Sequence, residues 1–600
     1  MKSTAVFIIA ISTVVRLLIS FILTPHILNG IFGLGILPAM RASILDPVHT
    51  WGHLDEACFL LQNRVSVWGE EYRSGYRAIY TPGTRIVAPP LVVAFFGEML
   101  VPFQSSPRLV WMLRQILVLL ADIVGAYCIY HIGRRVYEIE LGSKEDEIER
   151  DTNKESNENC TIIPEKLRAF RGWIFGLPTL ELDEVSVEET KPADANGNTE
   201  QERPKIDQSS STRQTIYREP ILTLDQVPLL VSLLYFSNPV SMIANHTGSL
   251  RSIWDALALK SLYYATKQSY RLSEEGIPIK VKSASSTATF LALATYVDAG
   301  YAMFLVPILL WRGMMRRKQN NESSLKKYQR GQSNDWITVL GLYLCYLLSL
   351  HYLASLLVGG SNTEYYNVMA QTMLPNIAFL NQDDSGSVPG PSMGLHWYFF
   401  VQMFDRFRAY FTVFVAGVPA MFVIPLTIRL CQYPSALAAT FQLLWSIFRP
   451  TATVHTLTFG LLLAMMNPRT IVRMRNVSLI SLFAIPVPIL LFITFHRMWL
   501  VTGNGNPNYI FFQCFAYGLF VCIISLDFVS ATVKRDKVLR MIEKGTTAKK
   551  RIDDNKEKGD MPESTDEPVE IDVDEAKNNS ENTSDETKVK EEEQPNVVFL

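Results

Sequence analysis

Long apolar runs separated by polar segments fill residues 1–136 and 220–537. Most of these runs approach the ~20 residues that an α-helix needs to cross ~30 Å of hydrocarbon. We therefore predict an all-α fold, a polytopic transmembrane helical bundle of about 10–12 spans. The predicted spans lie near 5–24, 88–104, 109–133, 226–243, 250–266, 286–311, 336–358, 398–430, 436–466, 477–495 and 509–531.

Charged residues next to glycine or proline interrupt two of these apolar runs. Asp298 and Gly300 break one run, and Arg449 and Pro450 break another. Backbone polar groups at membrane depth must be satisfied inside the protein. Each interruption therefore predicts a tight hairpin or a broken helix rather than one continuous span.

Basic residues follow several predicted spans and indicate their orientation. Arg134 and Arg135 follow an early span, and Lys534 and Arg535 follow the last one. Lysine and arginine gather on the cytosolic side of multi-pass membrane proteins. We predict that both termini are cytosolic and that the alternate loops face the lumen.

Two polar stretches contain many charged residues and few aromatic residues. Such segments cannot bury enough apolar surface to offset the entropy that is lost on ordering, so both are predicted to be disordered. The predicted organisation is 1–136 as N-terminal spans with a lumenal loop at 25–87, 137–219 as a charged cytosolic insert, 220–537 as the main bundle with lumenal loops at 359–397 and 496–508, and 538–600 as an acidic cytosolic tail.

The composition excludes several classes of function. A formal net charge of −2 gives no basic surface for nucleic acid, so no nucleic-acid partner is expected. The seven cysteines are scattered, mostly in apolar segments, without the CxxC or Cys/His spacing of a metal site. The cysteines are therefore interpreted as buried residues that pack as small apolar side chains. We predict no metal site and no cofactor.

Carboxylates in the first lumenal loop are candidates for a catalytic base. Asp46 lies early in this loop, and Asp55 and Glu56 are adjacent. Adjacent residues on a helix point about 100° apart, which is poor geometry for holding one metal or one proton together. An interfacial structural loop is favoured, and a catalytic acid remains the alternative.

Aromatic residues cluster where the loop 359–397 re-enters the membrane. One interpretation is an aromatic belt at the membrane interface. The other is a groove for a lipid with a large polar head, because the charged residues between the rings would face protein or a wet cavity. Both interpretations stay open. Three- and four-residue spacing on one helix face relates Trp397, Phe400, Phe404, Phe407 and Phe411.

The last lumenal loop is rich in asparagine. Asn504, Asn506 and Asn508 follow His496 and Arg497. Asparagine amides at the membrane surface suit hydrogen bonds to sugars or phosphate. A plain turn uses the same residues, so both interpretations stay open.

Five sequence segments, taken in their order along the chain, resemble subunit U of the glycosylphosphatidylinositol (GPI) transamidase. The resemblance runs through nearly every predicted span and excludes the insert 137–219 and the tail beyond about 545. The segments that carry it are the loop from Asp46 to Trp51, Thr289–Tyr296, Pro375–Ile377, His396–Phe404 and Asn506–Tyr509.

The resemblance implies a multi-pass protein of the endoplasmic reticulum membrane. Its complex cleaves a C-terminal signal peptide and joins the new carboxyl end to a GPI lipid. The caspase-like cysteine protease is a separate subunit in this family, so the present chain is expected to be non-catalytic and to recognise or present the GPI lipid or the attachment signal. By analogy, the lipid-binding residues are Asn376, His396, Trp397, Phe400, Phe404, Asn506 and Asn508.

The family is also similar to dolichol-phosphate-mannose-dependent mannosyltransferases, which implies a GT-C glycosyltransferase architecture. Those enzymes carry a catalytic acid in the first lumenal loop, often within Asp-x-Asp. This loop has no Asp-x-Asp, and Asp46 or Asp55 would be the base under this alternative. A channel or transporter is a third hypothesis, for which Asp122 and Asp298 are the intramembrane ionisable residues.

Overall fold

The computed structural model describes residues 14, 51, 54, 55, 57, 88–100, 106–136, 226–246, 248–267, 270–272, 278–280, 283–321, 335–358, 365, 368, 391–402, 404–449, 451–474 and 484–557. Outside them lie the predicted span 5–24 apart from Val14, Asp46 with most of the loop 25–87, the insert 137–219, Asn376, and tail residues 558–600. The chain divides into two compact units, Met1–Leu539 and Arg540–Leu600. The packing described below belongs to the first unit.

The described residues are predominantly helical. The α-helices are α1 (Pro90–Leu100), α2 (Pro107–Val136), α3 (Val227–Phe236), α4 (Pro239–His246), α5 (Arg251–Thr266), α6 (Ser283–Val297), α7 (Leu305–Asn321), α8 (Asp335–Val358), α9 (His396–Gln402), α10 (Asp405–Met421), α11 (Val423–Leu430), α12 (Pro434–Phe448), α13 (Val454–Met465), α14 (Pro468–Val472), α15 (Pro486–His496) and α16 (Pro507–Glu557). A short antiparallel hairpin, β1 (Tyr270–Leu272) and β2 (Pro278–Lys280), lies between α5 and α6.

Proline marks the start of many of these helices. Its fixed φ suits the first helical position, where its missing N–H would have had no intrahelical partner. The helices that begin with proline start at Pro90, Pro107, Pro239, Pro434, Pro468, Pro486 and Pro507.

The interior is built by helices with small residues at their contacts. Helix α5 packs against α2 and α6, α6 packs against α8, and α12 packs against α13. Ala258, Ser261 and Ala265 of α5 are fully buried, and so are Ala288 and Ala292 of α6. Small side chains let helix backbones approach closely. Such close packing holds helices together in a membrane, where the hydrophobic effect does not drive their association because lipid tails are also apolar.

Four of the described helical stretches are long and apolar enough to cross a membrane: Leu109–Val136, Val227–Asn245, Trp336–Val358 and Pro507–Lys537. Shorter apolar helices accompany them. Apolar side chains at three- and four-residue spacing remain exposed along α2, as on a helix that faces lipid. They are Leu109, Met112, Ile116, Leu120, Val124 and Tyr127. The prediction of an all-α membrane protein is confirmed.

Both predicted interruptions are present. Helix α6 ends at Val297, and Asp298 has extended backbone and caps the following 3-10 helix, Ala299–Phe304, by accepting a 2.9 Å hydrogen bond from the Gly300 amide. A Cβ at Gly300 would lie 2.1 Å from the Trp445 ring, so only glycine fits there. This interruption is a broken helix.

The second interruption is a hairpin. Helix α12 ends at Phe448, and the chain resumes as α13 after Thr453, whose side chain forms a capping box with Thr456. The two helices pack along each other, and a Cβ at Gly460 would lie 3.3 Å from the Leu443 backbone nitrogen. The short turn and the close approach explain why one apolar run contains two helices.

The predicted apolar segment 398–430 is not continuous, which corrects the sequence prediction. Helix α9 ends at Gln402, and Phe404 has extended backbone before α10 begins at Asp405. A further break lies between α10 and α11, where Pro419 disrupts the helical hydrogen-bond pattern. The aromatic face expected from Trp397 onwards is therefore divided at Phe404.

Candidate functional site

An aromatic–asparagine cluster joins the start of α9 to the loop before α16. We define it as Trp397, Tyr398, Trp499, Asn506, Asn508 and Phe511. The Tyr398 ring stacks on Phe511 with centroids 4.0 Å apart, and its hydroxyl donates a 2.7 Å hydrogen bond to Asn508 Oδ1. The Trp397 ring lies 6.1 Å from Trp499. Rings and an amide thus meet at one place, although they are about 100 residues apart in the chain.

The asparagine loop is shaped by two glycines and a side-chain cap. Gly503 has a positive φ of 72°, and a Cβ at Gly505 would lie 2.6 Å from the Trp499 backbone nitrogen. Asn506 Oδ1 accepts a 2.9 Å hydrogen bond from the Asn508 amide at the start of α16. Both asparagines are exposed, and the Oδ1 atom of each accepts a hydrogen bond.

His396 precedes the cluster and is almost fully buried. It lies in the predicted loop 359–397, outside the membrane spans. Burial lowers the pKa of its imidazole from 6.5 to about 4. The ring is therefore neutral at pH 7 and does not act as a cation for phosphate.

The segment before His396 is fixed from two sides. The Cys514 thiol of α16 donates a 3.2 Å hydrogen bond to the Ser392 carbonyl. A Cβ at Gly394 would lie 3.3 Å from the Arg449 carbonyl, at the α12–α13 turn. Trp397 is 2% exposed, so its ring supports the cluster from within.

The structure brings together four of the predicted site residues. His396 and Trp397 lie at the start of α9. Across from them, Asn506 lies just before α16 and Asn508 in its first turn. Phe400 lies on α9. Phe404 stands at the helix break with 81% of its surface exposed, whereas Trp397 is buried.

The remaining predicted site residue, Asn376, lies outside the described residues. Three aromatic residues of the cluster, Tyr398, Trp499 and Phe511, were missed as site residues by sequence reasoning. The signal for Tyr398 was its place in the aromatic segment. Phe511 gave none, because one more phenylalanine in a membrane span is unremarkable in a sequence.

A second polar assembly, which we call the charged joint, is buried where the two helix interruptions meet. Its members are Arg251, Asp255, Asp298, Arg449 and Tyr301. Asp298 Oδ2 lies 2.5 Å from Arg251 Nη1 and 3.3 Å from Arg449 Nη2. Asp255 Oδ1 lies 3.4 Å from Arg251 Nε and accepts a hydrogen bond from the Tyr301 hydroxyl.

The charged joint was not predicted as a unit. Asp298 was recognised as an interruption and as an intramembrane ionisable residue, and Arg449 as an interruption. Neither was assigned a partner, although intramembrane charges of opposite sign require partners. The sequence shows that both charges lie within apolar runs, but it does not show which charges pair with each other. Each carboxylate faces a guanidinium here, so the geometry fits a structural clamp between helices.

Two other acids considered as catalytic or transport groups, Asp55 and Asp122, have hydrogen-bond partners in the structure. Asp55, half exposed, receives both guanidinium nitrogens of Arg114, which also lies 4.9 Å over the Trp51 ring. Asp122 accepts a 2.9 Å hydrogen bond from Asn245 Nδ2. Among the described residues, no group of three or more His, Cys, Asp or Glu side chains is arranged to hold a metal ion.

Known proteins match this chain over most of its length. The profile of the family described as GPI transamidase subunit PIG-U matches residues 10–517. The chain is 26% identical to the GPI transamidase component GAB1 homolog of Schizosaccharomyces pombe over 309 residues, which are 52% of this chain and 65% of that protein. It is 24% identical to the GPI-anchor transamidase component PIGU of Homo sapiens over 339 residues, which are 56% and 69% of the two chains.

The chain is also 23% identical to the GPI transamidase component GAB1 of Saccharomyces cerevisiae over 304 residues, or 50% of this chain and 65% of the relative. The matched region therefore spans just under two thirds of both yeast relatives. The mannosyltransferase alternative is not favoured by these matches. Because the family profile covers far more than half of the sequence, the chain belongs to the family of GPI transamidase subunit PIG-U.

Proposed function

We propose that this chain is a non-catalytic subunit of a GPI transamidase in the endoplasmic reticulum membrane and that it presents the GPI lipid at the aromatic–asparagine cluster. Its partners would include a caspase-like cysteine protease subunit, which supplies the nucleophile. Both of its termini would be cytosolic. The observation that carries the proposal is the pairing of stacked rings with exposed asparagine amides in a family of transamidase components.

The chemistry of the cluster suits a glycolipid. Aromatic faces such as Tyr398 on Phe511 accept acyl chains or the apolar faces of sugar rings. The amide groups of Asn506 and Asn508 supply donors and acceptors for sugar hydroxyls and phosphate oxygens. Holding the lipid's amine next to a partner's acyl intermediate would contribute proximity and orientation rather than bond-making groups.

A separate protease subunit also fits the cysteines of this chain. Cys128 and Cys514 are buried, and the Cys514 thiol is hydrogen-bonded to the Ser392 carbonyl. A nucleophilic thiol needs access to substrate and a nearby activating base. These two cysteines are therefore assigned to packing.

The test combines Asn506→Ala with Asn508→Ala in cells that lack the endogenous subunit. We expect the surface display of a GPI-anchored reporter to fall about tenfold, since each exposed amide lost removes about one hydrogen bond to the lipid. Intact GPI precursor should accumulate, while co-purification of the other subunits stays unchanged.

Asn504→Ala in the same loop is the matched control. Asn504 is also exposed, but it stands outside the cluster. It should leave reporter display near the wild-type level. Normal reporter display by the double variant at equal expression would reject the cluster as the presenting site. Loss of subunit co-purification would instead assign the two asparagines to assembly.

A further inference from the structure

Four basic side chains gather at the C-terminal ends of α2 and α5. Arg134 and Arg135 occupy the last turn of α2, while Lys260 and Lys267 lie on α5 and directly after it. Together with the rings of Tyr263 and Tyr264, we call this group the cationic–aromatic patch. It shares no residue with the aromatic–asparagine cluster.

The two helix ends are adjacent in space. The Tyr263 ring of α5 lies 5.9 Å from Tyr127 and 5.8 Å from His131, both on α2. His131 is within electrostatic range of Arg134, Arg135 and Lys267. These charges are all positive, so cations from two helices act on one small region.

Aromatic rings hold the two lysines over this region. Lys260 Nζ lies 4.5 Å from the Phe290 ring centroid. Lys267 Nζ lies 5.9 Å from Tyr263 and 6.0 Å from Tyr264. Tyr264 and Phe290 are stacked with an interplanar angle of 5°. Cation–π contacts orient ammonium groups without neutralising their charge.

The patch lies at the level of a membrane surface. The candidate membrane span of α2 starts at Leu109, and the rise from there to Arg134 is about 38 Å at 1.5 Å per residue. The hydrocarbon core is only ~30 Å thick. The basic last turn therefore reaches the lipid headgroups when the apolar part of α2 spans the bilayer.

We propose that the cationic–aromatic patch binds the headgroup phosphate of an anionic phospholipid in the leaflet that meets these helix ends. Basic pockets between transmembrane helices favour such headgroups, and aromatic rings at the interface support the glycerol region. A favourable interaction with the helix dipole is enough to explain why Arg134 and Arg135 lie at the C-terminal end of α2. It does not account for Lys260, which lies more than one turn before the end of α5.

The test uses the full chain in nanodiscs of phosphatidylcholine with added phosphatidylserine, followed by native mass spectrometry of retained lipid. We expect Lys260→Gln with Lys267→Gln to lower phosphatidylserine retention about 25-fold, since each interfacial cation contributes roughly fivefold. Lys260→Arg with Lys267→Arg keeps both charges and should restore retention. Lys534→Gln with Lys537→Gln, at two exposed cations of α16, is the control with the same charge change.

Three outcomes would overturn the proposal. Undiminished phosphatidylserine retention by the glutamine variant would remove the patch as a lipid site. An equal loss in the α16 control would reduce the effect to overall charge. Displacement of the lipid by millimolar inorganic phosphate would make the patch a site for a soluble anion. None of these readouts depends on GPI attachment, so this test and that of the proposed function succeed or fail independently.

Discussion

Asp298 connects the two interrupted apolar runs of the sequence, its own and the one that contains Arg449. Its carboxylate receives Arg251 and Arg449 and also caps the 3-10 helix through the Gly300 amide. Charges buried in a bundle persist only when paired, because removing one partner leaves the other charge without compensation. One side chain therefore orients the ends of α5, α6 and α12.

Asp298→Asn removes the charge and keeps the shape of the side chain. We expect a destabilisation of about 3–5 kcal/mol, since two buried guanidinium groups lose their shared counter-charge. Thermal unfolding of the purified chain in mild detergent measures it. Asp55→Asn is the control: its ion pair with Arg114 is half exposed and should contribute less than about 1 kcal/mol. Equal melting temperatures of the two variants would show that the charged joint is not a clamp.

The burial of His396 predicts a pH dependence of stability. Its folded-state pKa is about 4, below the value of 6.5 for the free side chain. Between these values the unfolded chain binds a proton that the folded chain does not, so the free energy of unfolding falls as pH decreases from 6.5 towards 4. The contribution lost at pH 5 is about 2 kcal/mol.

The comparison of wild type with His396→Asn isolates this contribution, because the carboxylates that titrate in the same range are common to both. The unfolding free energies should converge as pH falls from 7 to 5, since only the wild type loses the imidazole contribution. Parallel pH profiles would mean that folding does not lower the pKa of His396. The measurement is thermal or denaturant unfolding in detergent across that pH range.

At the scale of elements, the breaks between helices determine where polar groups can lie inside the bundle. The sequence predicted the breaks at Asp298 and Arg449, because a charge beside glycine or proline is visible in an apolar run. It did not predict the break at Phe404. Nothing local stops a helix there, since aromatic and polar residues on both sides continue its periodicity.

The charged joint and the aromatic–asparagine cluster could be predicted only in part. His396, Trp397, Asn506 and Asn508 were visible as interfacial aromatic and polar residues. Their alignment across more than 100 positions depends on how α9 and α16 pack, which no local pattern encodes. The pairing of Arg251 with Asp298, 47 positions apart, has the same cause.

Gly300 tests whether the break after α6 is required. A Cβ there would lie 2.1 Å from Trp445, so Gly300→Ala should prevent the 3-10 helix from packing and reduce the yield of folded protein severalfold. Gly313→Ala on α7 meets no atom within 4 Å and should be neutral or stabilising by about 0.5–1 kcal/mol. Fluorescence-detected size exclusion reports both.

Gly300→Ala with Trp445→Leu provides the rescue, because the smaller side chain vacates the space of the indole ring. Partial recovery of folded protein would assign the defect to this contact. A Gly300→Ala variant with wild-type yield would instead mean that the helix ends near Asp298 can shift apart without loss.

In the whole molecule, the described ends of α2 and α3, which flank the long polar insert in the sequence, are neighbours in space. A Cβ at Gly133, near the end of α2, would lie 3.1 Å from Pro228 at the start of α3. Tyr235 packs against Gly125 further along the same pair of helices. The two helices are therefore antiparallel neighbours, and their contact does not require a long connection.

We predict that residues 141–222 can be replaced by a Gly/Ser linker of about ten residues without loss of the fold, because such a linker has a mean span of roughly 17 Å and the helix ends are in contact. Melting temperature in detergent and GPI-reporter display in cells that lack the endogenous subunit should match those of the full chain. A linker of the same length inserted between Phe448 and Val454 is the control. It should disrupt the protein, since the short α12–α13 turn positions Arg449 in the charged joint. Unfolding of the shortened chain would show that the insert takes part in the fold, whereas a folded chain with lost reporter display would assign it to the transamidase function.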